Sequence, residues 1–138
     1  MKILFAADGS KYTKKALAFL VTQDFAADAE IVVLNVQLPV PPRVRTLMGA
    51  DAVASYYDEE SGRVLQPIGK FLDRHDLAWR AVTARGTPAD EIVRAAGKHK
   101  AQMIVMGTHG HGLVGRALMG SVAQRVVTDS KVPVLLVK

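Results

Sequence analysis

The sequence predicts one α/β domain spanning 1–138, a three-layer sandwich with a parallel sheet covered by helices on both faces. Three observations carry this. Short apolar runs alternate with segments of one-sided helical periodicity from one end of the chain to the other. The runs are β-branched and nearly continuous, as strands buried on both faces are. At 138 residues the chain is long enough for a real core and too short for a second domain.

Lys2 to Ala7 is a short apolar run that stops at the turn signal Asp8-Gly9-Ser10. Apolar positions then recur at Tyr12, Ala16, Phe19 and Leu20, the spacing of a helix with one buried face, and Ser10 is placed to cap it. Ile31 to Val36 is the second strand. Pro39, Pro41 and Pro42 end it and open an irregular stretch to about Gly49. From Asp51 to His75 the pattern is helical, with Gly62, Pro67 and Gly69 predicting a break or bend. Leu77 to Thr83 is a third strand with Trp79 as its packing residue. Thr87-Pro88-Ala89-Asp90 joins a threonine cap, a first-turn proline and an acid, starting a helix that runs to about Ala96. Met103 to Met106 is the fourth strand, and Ser121-Val122-Ala123-Gln124 offers a capping box for a helix ending near Ser130. Val132 to Val137 is the last strand. Each crossover is expected to be right-handed. Pro133 is tolerated on an edge strand, but an edge as apolar as Val134-Leu135-Leu136-Val137 needs cover, which the same strand of a second copy supplies.

Composition narrows the function classes. The chain is 49% hydrophobic and 22% charged, as folded proteins are. It has no cysteine, which excludes a disulfide scaffold, a cysteine-ligated zinc and a cysteine nucleophile, and fits a reducing cytoplasm. The start, Met1 to Asp8, carries no export segment, and no stretch approaches the roughly 18 apolar residues of a membrane span. A membrane partner is not expected. The net charge is +5, yet the bases are dispersed, Lys11, Lys14 and Lys15 being the nearest to a cluster, and the few aromatics do not interleave with them. Nucleic acid is therefore not the expected partner.

The run from Val105 to Gly115, leading on to Gly120-Ser121, is the most informative feature. It joins the carboxyl end of a buried strand to a helix start, where backbone N–H groups hold phosphate and where open α/β sheets bind ligands. The phosphate loop of the large nucleotide hydrolases needs a Gly-Lys pair, absent between 107 and 121. Gly110-His111-Gly112-Leu113-Val114-Gly115 matches the dinucleotide pattern G-x-G-x-x-G, but the acid that should close the next strand is missing from Val132 to Val137. A purely structural reading stays open: the glycines permit positive φ and tight turns, with Gly120 preceding a Ser121 cap.

Gly107, Gly110, Gly120 and Ser121 also satisfy a wider pattern, G-x-x-G, nine residues, then G-[ST]. On this motif, and on Asp8-Gly9-Ser10, Leu34-Asn35-Val36, Gly86 before Thr87-Pro88, and Pro133-Val134-Leu135, the chain resembles the nucleotide-binding branch of the universal stress protein family over essentially its whole length. Asn35-Val36 in place of the more usual His-Val, and Ala6 where such members sometimes carry proline, are departures that remove no polar contact. The resemblance implies a Rossmann-like five-stranded parallel sheet of order 3-2-1-4-5 and a homodimer through the C-terminal edge strand 132–137. It implies ATP, or AMP or ADP, as ligand, with Mg2+ or Mn2+ bound through the phosphates. Gly107 and Gly110 would admit the phosphates to the backbone of a loop that includes Thr108 and His109. Gly120 and Ser121 would present N–H groups and a hydroxyl, Asp8 would face the ribose or a phosphate-bound ion, and Ala6, Val36 and Val122 would lie beside adenine.

Each residue also has an ordinary reading. Asp8 suits a turn acceptor, Ser121 a helix cap, Val36 the core, Thr108 a brace for its loop, Arg116 a solvated helix position, and Met48 and Met119 packing. His109 and His111 in a glycine loop make a weak ligand set, so no protein-built metal site is expected. No catalytic residue emerges. The expected function is a cytoplasmic, dimeric adenine-nucleotide-binding sensor or effector in a stress response, with at most slow ATP hydrolysis and an unidentified downstream protein. Residues 39–49 are a candidate lid. The alternatives are a dimeric interaction module of the same fold without nucleotide, or a small nucleotide-utilising enzyme with a second pocket near Asp8 and Ser10.

Overall fold

A computed structural model describes residues 1–111 and 119–138. The predicted roles of Gly112, Gly115 and Arg116 fall outside the described residues. Among those described, five strands, β1 (Lys2–Ala6), β2 (Glu30–Gln37), β3 (Ala78–Arg85), β4 (Met103–Gly107) and β5 (Val134–Val137), form one parallel sheet ordered β3-β2-β1-β4-β5. The helices are α1 (Lys11–Leu20), α2 (Asp24–Ala27), α3 (Pro42–Met48), α4 (Ala50–Arg74), α5 (Pro88–Lys98) and α6 (Ser121–Asp129). This is the three-layer, Rossmann-like sandwich the sequence predicts, in the strand order the resemblance implies. None of these helices is long and apolar enough to cross a membrane.

The near-continuous apolar strands follow from burial on both sides. In β1, Ile3 and Phe5 face a cluster with Ala16, Leu17 and Leu20 of α1 and Leu65, Ile68 and Leu72 of α4. Leu4, between them, faces the opposite cluster with Ile92, Ala95 and Ala96 of α5 and Val126 of α6. Strand period 2 divides β2 the same way, Ile31 and Val33 to the first face, Val32 and Leu34 to the second. Phe5 sits in register between Val33 and Val105 at the centre of the sheet. The edges differ from this. β3 is exposed at alternate positions, and all four residues of β5 are half-buried.

Several local expectations hold and others need correction. Ser10 caps α1, its side chain accepting from the Thr13 N–H. Thr87 occupies the cap position of α5 with Pro88 behind it, but its side chain makes no capping bond. Ser121 is not a cap: Gly120 takes that position and Ser121 begins α6. The stretch predicted as irregular is largely α3, started by Pro42, whose fixed φ suits a first helical turn. Met48 there is exposed rather than packed. The predicted break in α4 is absent. Pro67 lies on the exposed side of a 25-residue helix whose other side buries Leu65, Ile68 and Leu72, so the carbonyl it leaves unbonded can face water.

Gly69 has a packing reason instead. A Cβ there would lie 2.5 Å from the Trp79 ring, which is fixed by an Nε1–H donated to Asp73 at 2.7 Å. At the amino end of the sheet, Glu30 binds Arg80 at 2.8 Å and Lys2 at 4.0 Å, and Arg80 meets His99 Nδ1 at 3.0 Å. Burial, aided by the neighbouring Arg80 charge, pushes the His99 pKa below its ordinary 6.5. The hydrogen bond from Arg80 holds the Glu30 carboxyl below its ordinary 4.5.

Two outcomes follow. Gly69→Ala adds about 1 kcal/mol of helix propensity but forces overpacking that costs about 1–3 kcal/mol, so chemical denaturation should show net destabilisation. In a Trp79→Leu background the same change should become stabilising. For His99, the unfolded chain binds more protons than the folded one once pH drops below 6.5, so its contribution is full above that value and is lost as pH falls toward the lowered folded pKa. Thermal unfolding of the parent should therefore fall off faster with acid than that of His99→Gln, and parallel profiles would contradict this. Glu30 adds a loss of the same sign below 4.5.

Candidate functional site

β1 and β4 are neighbours whose chains then diverge, β1 through α1 to β2 on one side and β4 through α6 to β5 on the other. Their carboxyl ends therefore border the crevice in which sheets of this kind bind ligands. On the β1 side, the Ala7 N–H donates to the Leu34 carbonyl at 2.9 Å, and the chain then turns at Gly9, whose φ is +79°. Asp8 closes this turn with one oxygen. Its Oδ1 accepts from the Ser10 N–H at 2.9 Å and the Thr13 hydroxyl at 2.8 Å, while Thr13 Oγ1 accepts from the Asp8 N–H at 3.1 Å. No described residue donates to Oδ2. It faces Gly110, where a Cβ would stand only 2.7 Å away.

On the β4 side the loop backbone is pressed onto the rest of the site. A Cβ on Gly107 would lie 2.6 Å from Tyr12 Cβ and 3.1 Å from its backbone. The Thr108 N–H donates to the Val137 carbonyl at 2.9 Å, and its carbonyl accepts from the Gly120 N–H at 2.7 Å, tying the loop to β5 and to the start of α6. Thr108 Oγ1 and His109 Nδ1 share a 2.8 Å hydrogen bond, and the His109 ring lies 4.9 Å from that of Tyr12. His111 donates through Nε2 to the Asp8 carbonyl at 2.6 Å. These contacts correct one expectation. Among the described glycines, positive φ belongs to Gly9, Gly49 and Gly86. Gly107, Gly110 and Gly120 are needed for close approach, not for a left-handed turn.

α6 presents its amino end to the same place. Ser121 is exposed, and no described residue accepts from the backbone N–H of Ser121, Val122 or Ala123, the unpaired donors of a first helical turn. Ala6, Val36 and Val122, half-buried, pack with Met119 against the same apolar cluster. The fold thus gathers the predicted residues around one end of the sheet: an anionic oxygen, free N–H donors and an apolar floor. Among the described residues, no group of three or more histidines and carboxylates is gathered for a metal. Asp8 Oδ2 offers a divalent ion one oxygen, so such an ion would need phosphate oxygens to complete its shell.

Asn35 is the residue that sequence reasoning noticed only as a departure. It is 2% exposed, donates through Nδ2 to the Ala7 carbonyl at 2.8 Å, and accepts at Oδ1 from Gln37 Nε2 at 2.6 Å and Ser61 Oγ at 3.1 Å. It braces the turn that carries Asp8. Its signal was a lone amide in an otherwise apolar strand.

Comparison with known proteins shows the family and the fold. The model of the universal stress protein family matches residues 1–138. The universal stress protein in the QAH/OAS sulfhydrylase 3′ region of Thermus aquaticus is 35% identical over 137 residues, covering 99% of this chain and 97% of its own. The solved structure of protein MJ0577, a universal stress protein of Methanocaldococcus jannaschii, superposes with a TM-score of 0.84 at 28% identity, covering 99% of this chain and 94% of its own. A universal stress protein from Archaeoglobus fulgidus, solved in complex with dAMP, shares the fold at 19% identity with a TM-score of 0.73, covering 100% of this chain and 98% of its own.

Because Gly107 meets backbone as well as Cβ, Gly107→Ala should lower stability by about 1–3 kcal/mol in urea titration, with or without ligand. Gly120→Ala, facing the Thr108 carbonyl at 3.2 Å, should cost less. Asn35→Ala leaves buried partners unpaired and should cost about 1–3 kcal/mol. A neutral effect of Gly107→Ala would contradict the packing described.

Proposed function

Because this chain belongs to the universal stress protein family, we propose that it binds an adenine nucleotide in the crevice between β1 and β4. The observation that carries this reading is Asp8 Oδ2, which has no donor among the described residues and faces Gly110 beside N–H groups of α6 that no described residue accepts. Phosphate, an anion with acceptor oxygens, suits that helix end, with the Ser121 hydroxyl as a further donor. A ribose hydroxyl, or Mg2+ or Mn2+ carried by the phosphates, suits the carboxylate. Adenine suits the apolar floor of Ala6, Val36 and Val122. Gly107, Thr108, His109, Gly110 and Gly120 form the wall of the site. The Archaeoglobus protein's dAMP is of the same ligand class.

The role is that of a cytoplasmic sensor or effector in a stress response, in which binding, rather than turnover, carries the signal. Hydrolysis is at most slow, since phosphoryl transfer requires a positioned lysine or arginine and a group orienting water or acceptor, and the described residues placed around the crevice include no lysine or arginine. The half-buried edge strand β5 supports a homodimer joined through 132–137. A second reading, an interaction module without nucleotide, draws on the fact that Gly107 and Gly110 are already accounted for by Tyr12 and Asp8.

Thermal unfolding with ATP and magnesium, and with AMP, separates the two. At a ligand concentration of 100 times Kd, stabilisation of about 2.7 kcal/mol is expected. Asp8→Asn keeps an oxygen for the Ser10 turn and should weaken magnesium–ATP more than AMP. If millimolar ATP, ADP and AMP all leave the transition unmoved, the interaction-module reading stands instead. Mass measurement at roughly micromolar concentration should give a dimer, and a monomer would remove the β5 pairing.

A further inference from the structure

The carboxyl ends of β2 and β3 and the facing turns of α4 border a second space, an open cleft of about 310 Å³ whose lining includes Gln37, Tyr57, Asp58, Ser61, Ala84 and Arg85. Its polar lining lies on the other face of the sheet from the apolar floor of the crevice, since Asn35 and Gln37 alternate with Val36 along β2, while Ala84, in register with Val36, belongs to the floor side. Its volume sits at the small end of the roughly 300–1,000 Å³ typical of small-molecule pockets.

Three of its polar groups, on Arg85, Gln37 and Ser61, are held in place, whereas Asp58 is exposed. The Arg85 guanidinium stands over the Tyr57 ring, 3.9 Å from the centroid. Tyr57 is itself buried and accepts the Val40 N–H at 2.6 Å, so the cation has a rigid seat. Gln37 spends its Nε2 on Asn35, which leaves Oε1 as an acceptor. Ser61, buried, spends its hydrogen on the same Asn35 oxygen, which leaves its lone pairs. Asp58 adds a carboxylate. Among the described residues, neither Arg85 nor Asp58 has an ion-pair partner within 4.0 Å, each other included. Both are exposed, and surface charges left in water need no partner, but here two of opposite sign border one cleft with acceptors held beside them.

We propose that this cavity binds an amino-acid-sized zwitterion, its carboxylate on the Arg85 fork and its ammonium among Asp58, Gln37 Oε1 and Ser61. Arg85 supplies a planar donor pair matched to a carboxylate, and the three acceptors match an ammonium with three donors. The site's polar groups lie across β2 from the crevice floor.

NMR titration of labelled protein with β-alanine and γ-aminobutyrate, following the Gln37 side-chain amide, the Tyr57 ring and Arg85 Nε, tests this. Saturable shifts at these groups are expected with a zwitterion, and affinity should drop at least about tenfold for butyrate and for butylamine, each of which lacks one charge. Arg85→Gln and Asp58→Asn should each weaken the zwitterion by a similar factor. The proposal is overturned if neither zwitterion gives saturable shifts, if butyrate binds as well, or if both variants bind like the parent.

Discussion

At the centre of the sheet, β1 and β4 end in turns that pass within touching distance, and the rest of the site follows from how that contact is made. Gly110 lies against Asp8, Gly107 against Tyr12, and the Gly120 N–H on the Thr108 carbonyl. A Cβ at the first two positions would stand well under van der Waals distance from its neighbour. The glycines cost backbone entropy on folding, and what they permit is a crevice in which one carboxylate oxygen, several N–H donors and an apolar floor converge. Asp8 divides its labour between its two oxygens: one holds the turn, the other faces outward. Both readings of Asp8, turn acceptor and ligand contact, are thus compatible in one side chain.

That arrangement is supported from beneath by burial on both faces of the sheet. Phe5, Val33 and Val105 lie in register at the centre, with α1 and α4 on one side and α5 and α6 on the other. Fully burying such side chains contributes about 1.5–3 kcal/mol each, which stabilises the strands that aim the two turns. Asn35 is the polar element of this layer. Its three hydrogen bonds tie the carboxyl ends of β1 and β2 to the middle of α4.

Much of this was legible in the sequence, and the failures have physical causes. Continuous apolar runs announced strands buried twice over, and the Ser10 cap and Pro88 start announced their helices. The wide spacing of Gly107, Gly110 and Gly120-Ser121 marked turns that the fold packs closely against Tyr12, Asp8 and Thr108. Local propensity misjudged Pro67, because a 25-residue amphipathic helix with a buried face overrides one missing hydrogen bond on its exposed side. It misjudged Gly69 as a breaker when the cause was Trp79, a contact made across the fold. It placed the cap at Ser121 when Gly120, held by Thr108, already occupied that position. Asn35 meets Ala7 and Ser61, 28 and 26 positions away, and Arg85 stacks on the distant Tyr57, and pattern along one chain does not reveal such pairs.

The central claim is that the adenine nucleotide lies between β1 and β4 with its phosphates at the start of α6. Backbone amide NMR on titration with AMP measures this most directly. The account predicts saturable shifts concentrated at Asp8, Gly107, Gly110 and Gly120 through Val122, with Val36 following. Saturable shifts centred elsewhere on the sheet, or none at millimolar AMP, would contradict it.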